Sequence, residues 1–326
     1  MTISRRELLG AAGALCTTFV LPARAQTWPD RAIKVLLGYA TGGSTDATAR
    51  ILSRPLEQRL KQPVVVDYKP GAGASIGADL VAKSTPDGYT IGLTDTGPMC
   101  IMPNLRKVPY NPITDFTPLS YVCSTGLAVL VHPSVEARNI KELIALLKAR
   151  PGRLSYASSG VGSVHHLAGE LFKANTKTFM VHIPYRGAGP ALLDLTGGQI
   201  PVMFATIGPS LPLIASGKVR ALAVTTTKRS SVLPDVPTLI ESGLADYEAV
   251  LRFMMVAPSR TPEPVASRLQ SELRHIVADP AVIKELERLG NDEIENRSPA
   301  DIQALIKSDL AKWGKVIRDA KITLEG

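Results

Sequence analysis

The amino-acid sequence predicts an α/β protein built from two similar units. Short apolar runs alternate with segments of helical periodicity, a pattern typical of strand–loop–helix repeats around a largely parallel sheet. Extended segments near residues 122–130 and 246–257 connect the two units, so we expect a ligand cleft between them. Of the 326 residues, 45% are hydrophobic and 20% are charged, a composition that supports a packed core and excludes a disordered protein.

The first unit opens with three strands separated by two helices. A loop rich in glycine and small polar residues, Gly38–Asp46, links the first strand to the first helix. The predicted elements are, in order, a strand at Ile33–Leu37, a helix ending near Leu60, a strand at Val64–Asp67, a helix near Ile76–Lys83 and a strand at Tyr89–Thr94.

The second unit follows the extended run that ends at Val129–Val131. Asn139 is the predicted N-cap of its first helix, with Glu142 in the capping-box position. The remaining predicted strands are Leu154–Ala157, Met180–Ile183, Ile200–Phe204 and Val219–Val224, and helices are expected near Val164, Pro190–Thr196 and Pro209–Ser216.

The last third of the chain is predicted to be helical and to rejoin the first unit. Glu248–Ala257 is long enough to carry the chain back, and Ser298 followed by Pro299 marks the start of the last helix. We therefore expect residues 26–125 with 250–326 to form one lobe and residues 126–249 to form the other.

Residues 1–25 have the features of an export signal. Arg5 and Arg6 precede an apolar stretch, and small residues before Gln26 predict cleavage there. Ser4–Leu9 also resembles a twin-arginine signal, and an ordinary Sec signal that holds two arginines is the alternative. We expect a periplasmic protein. Cleavage removes three arginines and one glutamate, so the formal net charge falls from +8 to +6.

The remaining charge and the cysteines exclude several classes of partner and scaffold. Basic residues stand beside acidic ones, as in Lys141-Glu142, whereas nucleic-acid binding needs clustered cations with aromatic residues. Three cysteines exclude a disulfide scaffold. Once the signal is removed, Cys100 and Cys123 either form one disulfide or remain two separate buried thiols.

Metal, hydrolase and dinucleotide sites lack the spacing that they require. His165 and His166 are adjacent, so on a helix they point about 100° apart and do not share a metal easily. Gly73–Gly77 matches a nucleophile motif around Ser75, but five residues separate it from the preceding strand, against a tight elbow. A dinucleotide-binding fingerprint needs a tight turn directly after the strand, and the same five intervening residues are against it. We expect no metal and no cofactor, and a secreted serine hydrolase or esterase using Ser75 is the alternative function.

The residues favour binding of an anion by the backbone. Three loops end a strand and open a helix, so their free N–H groups and the positive end of the helix dipole suit a carboxylate or a phosphate. Serine hydroxyls at Ser44, Ser159 and Ser163 add donors. The three loops are Gly42–Asp46, Ser158–Ser163 and Tyr185–Pro190.

Several motifs together resemble the periplasmic solute-binding receptors of tripartite tricarboxylate transporters, the Bug or TctC family. The resemblance covers essentially the whole mature chain. The segments that carry it are Gly42–Arg50, Lys69–Gly73, Pro86–Thr90, Ser159–Ser163 with His166–Glu170, Ile183–Gly187 and Leu233–Thr238.

The resemblance implies a two-lobed type II periplasmic binding protein, or Venus flytrap, in which each lobe is a mixed sheet flanked by helices. Such a receptor is not an enzyme; it binds a small mono- or dicarboxylate and presents it to a membrane permease, and we expect a monomer. Two loops hold one carboxylate, partly through water. The residues expected to bind the ligand are Tyr39, Thr41, Gly42, Gly43, Ser44, Asp46, Thr94, Thr96, Ser158, Ser159, Gly160, Gly162, Ser163, His166, Arg186, Ala205, Thr206 and Arg252.

Four departures from the family pattern bear on the ligand. Tyr39 adds a hydroxyl that can bond the ligand or water. Ala205-Thr206 replaces a polar pair and removes a carboxylate that would hold an ammonium group, which disfavours amino acids. Arg252 is expected either to pair with a second ligand carboxylate or to form a surface or interdomain ion pair. Asp95 would repel an anion unless it points away or pairs with Arg252 or Arg186.

Overall fold

Two long antiparallel strands join the halves of the molecule. The structure, a computed structural model, describes Trp28–Thr323, so the predicted signal at residues 1–25 lies outside the described residues. Strand β4 (Phe116–Val131) pairs along its first part with β9 (Val250–Pro258), from Phe116 opposite Pro258 to Gly126 opposite Val250. From Leu127 onward β4 pairs instead with strands of the second half.

The first lobe is a mixed sheet. Strand β1 lies between the parallel strands β2 and β3, and β3 continues antiparallel into β9. The elements of this lobe are β1 (Ile33–Leu37), α1 (Ser44–Leu60), β2 (Val64–Tyr68), α2 (Ser75–Ala82), β3 (Thr90–Thr94), α3 (Met102–Leu105) and, after β9, α8 (Glu263–Val277), α9 (Pro280–Arg288), β10 (Asn291–Asp292) and α10 (Pro299–Asp319).

The second lobe repeats the mixed arrangement. Strand β5 is parallel to both β6 and β7, and β7 and β8 each lie antiparallel to the last part of β4. Its elements are α4 (Ile140–Ala149), β5 (Ser155–Ser158), α5 (Val164–Thr176), β6 (Val181–Pro184), α6 (Ala188–Thr196), β7 (Val202–Thr206), α7 (Ile207–Ala215) and β8 (Arg220–Val224). No helix in the described range is long and apolar enough to cross a membrane.

Most predicted elements are confirmed. Capping residues explain why the starts of two helices could be predicted from the sequence. Asn139 accepts the N–H of Glu142 at 2.9 Å, and Ser298 forms a reciprocal capping box with Asp301. Several bounds differ from the structure. The extended run that ends at Val129–Val131 belongs to a strand of 16 residues. Helices α6 and α7 begin at Ala188 and Ile207, each two residues before the expected start, and β7 begins two residues after it, at Val202.

The two cysteines do not form the disulfide that was one of the two expectations. Cys100 and Cys123 are free and buried. The Sγ of Cys100 lies 3.8 Å from the carbonyl oxygen of Ile306. Burial raises the pKa of both thiols well above its ordinary value, so they pack as small apolar side chains.

A buried ion pair ties β9 to the last helix. The Arg252 guanidinium contacts the Asp309 carboxylate at 3.0 Å, and their side chains are only 12% and 7% exposed. Burial raises the pKa of Asp309 even though Arg252 opposes that shift. The pair therefore holds β9 against α10 at a high desolvation cost.

Removing one partner of this pair should destabilise the fold strongly. Asp309→Ala leaves the Arg252 charge buried with only the longer contact to Glu293 at 3.9 Å, so we expect the free energy of unfolding to fall by about 3 kcal/mol in urea denaturation. The matched control, Arg252→Met with Asp309→Leu, removes both charges and should lose much less. Equal losses in the two variants would contradict this account.

Candidate functional site

The first loop between the lobes is held by one carboxylate. Asp46, on the first turn of α1, accepts the N–H of Gly42 at 2.9 Å. It also accepts Arg50 at 2.8 Å and the Tyr68 hydroxyl at 2.7 Å. Burial alone would raise the pKa of Asp46, but these hydrogen bonds outweigh it and lower the pKa below its ordinary value. Asp46 therefore shapes the loop, with its oxygens already engaged.

The second loop is also fixed by its own side chains. The Ser163 hydroxyl donates to the Gly160 carbonyl at 2.6 Å and accepts the N–H of His166 at 3.2 Å. The Gly160 N–H donates to the Ser158 hydroxyl at 3.1 Å. The hydroxyls thus order the loop, and donors for a ligand must come from elsewhere in it.

Main-chain N–H groups supply those donors. Within Trp28–Thr323, the N–H groups of Thr41 and Gly43 in the first loop and of Ser159 and Val161 in the second have no hydrogen-bond partner. Both loops lie at helix N-termini, where partial positive charge favours an anion. The arrangement suits a carboxylate between the two loops.

The two lobes touch through main-chain atoms along the line where their loops meet, which we call the seam. The Ala40 N–H of the first lobe donates to the Arg186 carbonyl of the second at 3.1 Å. A Cβ atom at Gly189 would lie 2.3 Å from the Thr41 carbonyl oxygen, and one at Gly73 would lie 2.2 Å from that of Val161. Only glycine permits these approaches, so the structure represents a closed cleft.

Asp95 is fully buried beside Tyr39. It accepts the Tyr39 hydroxyl at 3.2 Å and the Gly97 N–H at 2.8 Å, both on Oδ1. Its Oδ2 has no hydrogen-bond partner among the described residues. Burial raises the pKa of Asp95 to about 6, against the opposing effect of these donors. Of the alternatives expected for Asp95, pairing with Arg252 or Arg186 does not occur, because Tyr39 and Gly97 bond the carboxyl group instead.

Three histidines support the second loop, of which His165 and His166 are buried and His182 is half-buried. His165 Nδ1 lies 2.7 Å from the Ser159 hydroxyl, and His182 Nε2 lies 2.7 Å from the Ser158 hydroxyl. His166 Nδ1 accepts the Gly162 N–H at 3.3 Å, and its ring stacks on that of His182 at 4.1 Å. Burial lowers the pKa of His165 and His166 to about 4 and that of His182 to about 3, so all three are neutral at pH 7.

A cavity of about 540 Å³ opens between the lobes. Of the residues predicted to bind the ligand, Tyr39, Ser159, Gly160 and Arg186 line it. Pro70–Ala74 and Ile76 also line it; the sequence marks Lys69–Gly73 as a family motif without indicating this role.

Other predicted site residues are used within the protein. The Thr96 hydroxyl accepts the N–H of Arg252 at 3.0 Å. Thr94 and Thr206 each keep a buried hydroxyl without a partner among the described residues, and Ala205 is buried. The Arg252 guanidinium pairs with Asp309 as described above. Both residues belong to the first lobe and are largely buried, so this is an ion pair within one lobe and not the surface or interdomain pair that was one of the two expectations.

Residues 48–322 match the family described as the tripartite tricarboxylate transporter family receptor. This chain belongs to that receptor family.

Three solved structures share its fold. The periplasmic binding protein BugD is 34% identical, covers 91% of this chain and 99% of its own, and gives a TM-score of 0.88. Rpa4515 of R. palustris, with adipate, is 32% identical over 91% of this chain and 99% of its own, with a TM-score of 0.87. MatC from Rhodopseudomonas palustris, with bound malate, is 29% identical over 89% and 100%, with a TM-score of 0.85.

These matches confirm the two-lobed periplasmic-binding fold and the family that the motifs indicated. Members of the family are periplasmic receptors. In this receptor the Ser75 hydroxyl donates to the Ala72 carbonyl at 2.8 Å. No histidine or carboxylate among the described residues bonds Ser75, so the geometry gives no support to a hydrolase at that position.

Sequence reasoning missed two of the histidines that support the loop. At the level of sequence, His165 is considered only as a metal ligand and His182 is not singled out, and no group of three side chains within Trp28–Thr323 could hold a metal ion. The available signal was the position of His165, two residues after the capping Ser163 and therefore facing back toward the loop.

The buried histidines of this receptor should make its stability depend on pH. In the unfolded chain a histidine titrates near 6.5, so between about pH 6.5 and 4 the unfolded state binds more protons than the folded state. The free energy of unfolding should therefore fall on acidification through that window, by on the order of a few kcal/mol. Asp95, with its pKa raised to about 6, contributes in the opposite direction. Because it is a single group, its contribution is smaller than that of the three histidines together.

Urea denaturation at pH 7.5 and pH 5 measures the effect. His182→Gln keeps an amide that can bond Ser158 but removes the titrating ring, so the pH dependence should shrink. His275→Gln, on the exposed face of α8, is the matched control and should leave it unchanged. An unaltered pH dependence in His182→Gln would rule out this histidine as a source.

Proposed function

We propose that this protein is an extracytoplasmic receptor that captures a small organic carboxylate and delivers it to a tripartite tricarboxylate-type transporter. The observation that carries the proposal is the closed cleft, in which unpaired N–H groups from the loops of two lobes accompany a cavity without acidic lining residues. An anion can satisfy those donors without meeting a like charge. We propose no catalytic activity.

Ligand binding would act by shifting the balance between open and closed lobes. The closed form contains the Ala40–Arg186 hydrogen bond across the seam, and a carboxylate held by loops of both lobes binds only that form well. The ratio of the ligand's affinities for the closed and open forms then determines how strongly binding favours closure. We propose that permease subunits bind the closed receptor, and that residues 26–125 with 250–326 close on residues 126–249 as a monomer.

The ligand is proposed to be a mono- or dicarboxylate. Adipate and malate accompany the related structures. Amino acids are disfavoured because Ala205 and Thr206 provide no carboxylate for an ammonium group, and Asp95 is fully buried and is not among the residues that line the cavity.

A bulky residue in the second loop should weaken every carboxylate. Gly160 has φ +130°, and a Cβ atom there would lie 3.1 Å from the Tyr185 carbonyl oxygen. Gly160→Val should therefore displace the loop and weaken binding by at least about tenfold, a loss of roughly 1.4 kcal/mol, in calorimetry against a carboxylate panel.

Gly243→Val is the matched control for this variant. Gly243 has φ +101° with no atom within 4 Å of the added Cβ, so it carries similar backbone strain away from the cleft. Binding should be unchanged in this control. The receptor function fails if no carboxylate raises the melting temperature of the wild type while Ser75→Ala abolishes an esterase activity.

Export of the chain can be tested directly. We propose that residues 1–25 direct the protein to the periplasm and are then removed, so intact mass and N-terminal sequencing of the periplasmic fraction should give a chain that begins at Gln26. Replacing Arg5 and Arg6 by lysine should block export only if the twin-arginine route is used. A full-length chain retained in the cytoplasm would contradict the export signal.

A further inference from the structure

Arg186 provides the one positive charge of the cleft cavity. Among the described residues that line the cavity, no other is charged. Arg186 is exposed at the surface of the second lobe, and its main-chain carbonyl is fixed by the Ala40 N–H at 3.1 Å. Its position at the seam is therefore set by the backbone, which leaves the side chain free for another role.

The Arg186 guanidinium has no protein partner. Within Trp28–Thr323 its side chain forms neither an ion pair nor a hydrogen bond, whereas Arg50 pairs with Asp46 at 2.8 Å and Arg252 pairs with Asp309 at 3.0 Å. A guanidinium presents donors in a planar fork that matches a carboxylate in a bidentate way. An unpaired arginine on an otherwise uncharged cavity is thus available to an anionic ligand.

Apolar residues share the cavity lining with Arg186. Pro70, Ile76, Val161 and Pro184 contribute apolar atoms to the cavity lining. The cavity, at about 540 Å³, is in the size range of pockets that enclose a whole small molecule. A ligand with two charged groups and an apolar part matches this combination of a free guanidinium, main-chain N–H groups and apolar side chains.

We infer that Arg186 binds the second carboxylate of a dicarboxylate ligand whose first carboxylate is held by the N–H groups of the two loops. The apolar spacer of the ligand lies against Pro70 and Ile76. This inference rests on the proposed receptor function and moves the second-carboxylate role from Arg252, whose guanidinium is engaged by Asp309, to Arg186. The main-chain carbonyl of Arg186 also accepts the Ala40 N–H of the first lobe. The same residue would therefore contact both the ligand and the opposite lobe.

Matched ligand pairs provide the test. Isothermal titration calorimetry would compare α,ω-dicarboxylates of four to eight carbons and terephthalate with the monocarboxylates in which one carboxylate is a methyl group or hydrogen. For the best-bound dicarboxylate, Arg186→Ala should weaken binding by about 10- to 100-fold, as expected for a charge-assisted bidentate contact. Binding of the matching monocarboxylate should change less than about twofold.

Two further variants control the comparison. Arg186→Lys keeps the charge but loses the fork, so it should weaken the dicarboxylate to an intermediate degree and it tests the contact if the alanine variant does not fold. Arg54→Ala removes an exposed, unpaired arginine of α1 within the described chain and should leave both ligands unaffected.

Each outcome decides one of the two proposals. A wild type that binds monocarboxylates as tightly as dicarboxylates, or an Arg186→Ala variant that weakens both members of a pair equally or neither, would overturn the role of Arg186 and leave the receptor function standing. A wild type that binds no carboxylate of either kind would overturn the receptor function itself.

Discussion

The closed cleft depends on the direct approach of two backbones across the seam. The Ala40 N–H reaches the Arg186 carbonyl, and Gly189 lies against the Thr41 carbonyl oxygen. Side chains at such contacts would hold the lobes apart, so the loops that meet there must be glycine-rich. Their shape must then be fixed from behind, which is the role of Asp46 in the first loop and Ser163 in the second.

Neutrality of the histidines that support the second loop leaves main-chain dipoles as the source of its attraction for an anion. His165, His166 and His182 surround the second loop, yet burial lowers the pKa of each to about 4 or below, so they accept or relay hydrogen bonds without adding charge. Asp95 is held by Tyr39. Fixed dipoles need little reorganisation when a carboxylate arrives, and they suit any carboxylate, which leaves selectivity to the rest of the cavity.

Local signals in the sequence predicted much of the fold. Strand β1 has the expected bounds and helix α1 the expected end, because a buried apolar run and a glycine-rich loop mark them, and Asn139 and Ser298 cap helices as expected. The full length of β4 was not predictable in this way, since its two parts pair with different lobes. That pairing depends on contacts far apart in the sequence, which no local pattern contains.

The candidate site was predictable as a set of loops but not as a set of free side chains. Sequence position placed Asp46, Tyr39 and Arg252 at the cleft, and only the fold reveals their partners. Arg252 illustrates the reason: Asp309 follows it by 57 residues, and their pairing buries both charges at a cost that a ligand could not easily reverse. A buried cation that is already paired with a protein carboxylate stabilises the strand on which it lies and is not available to a ligand. An arginine without a partner, as at Arg186, keeps its full hydrogen-bonding capacity for the ligand.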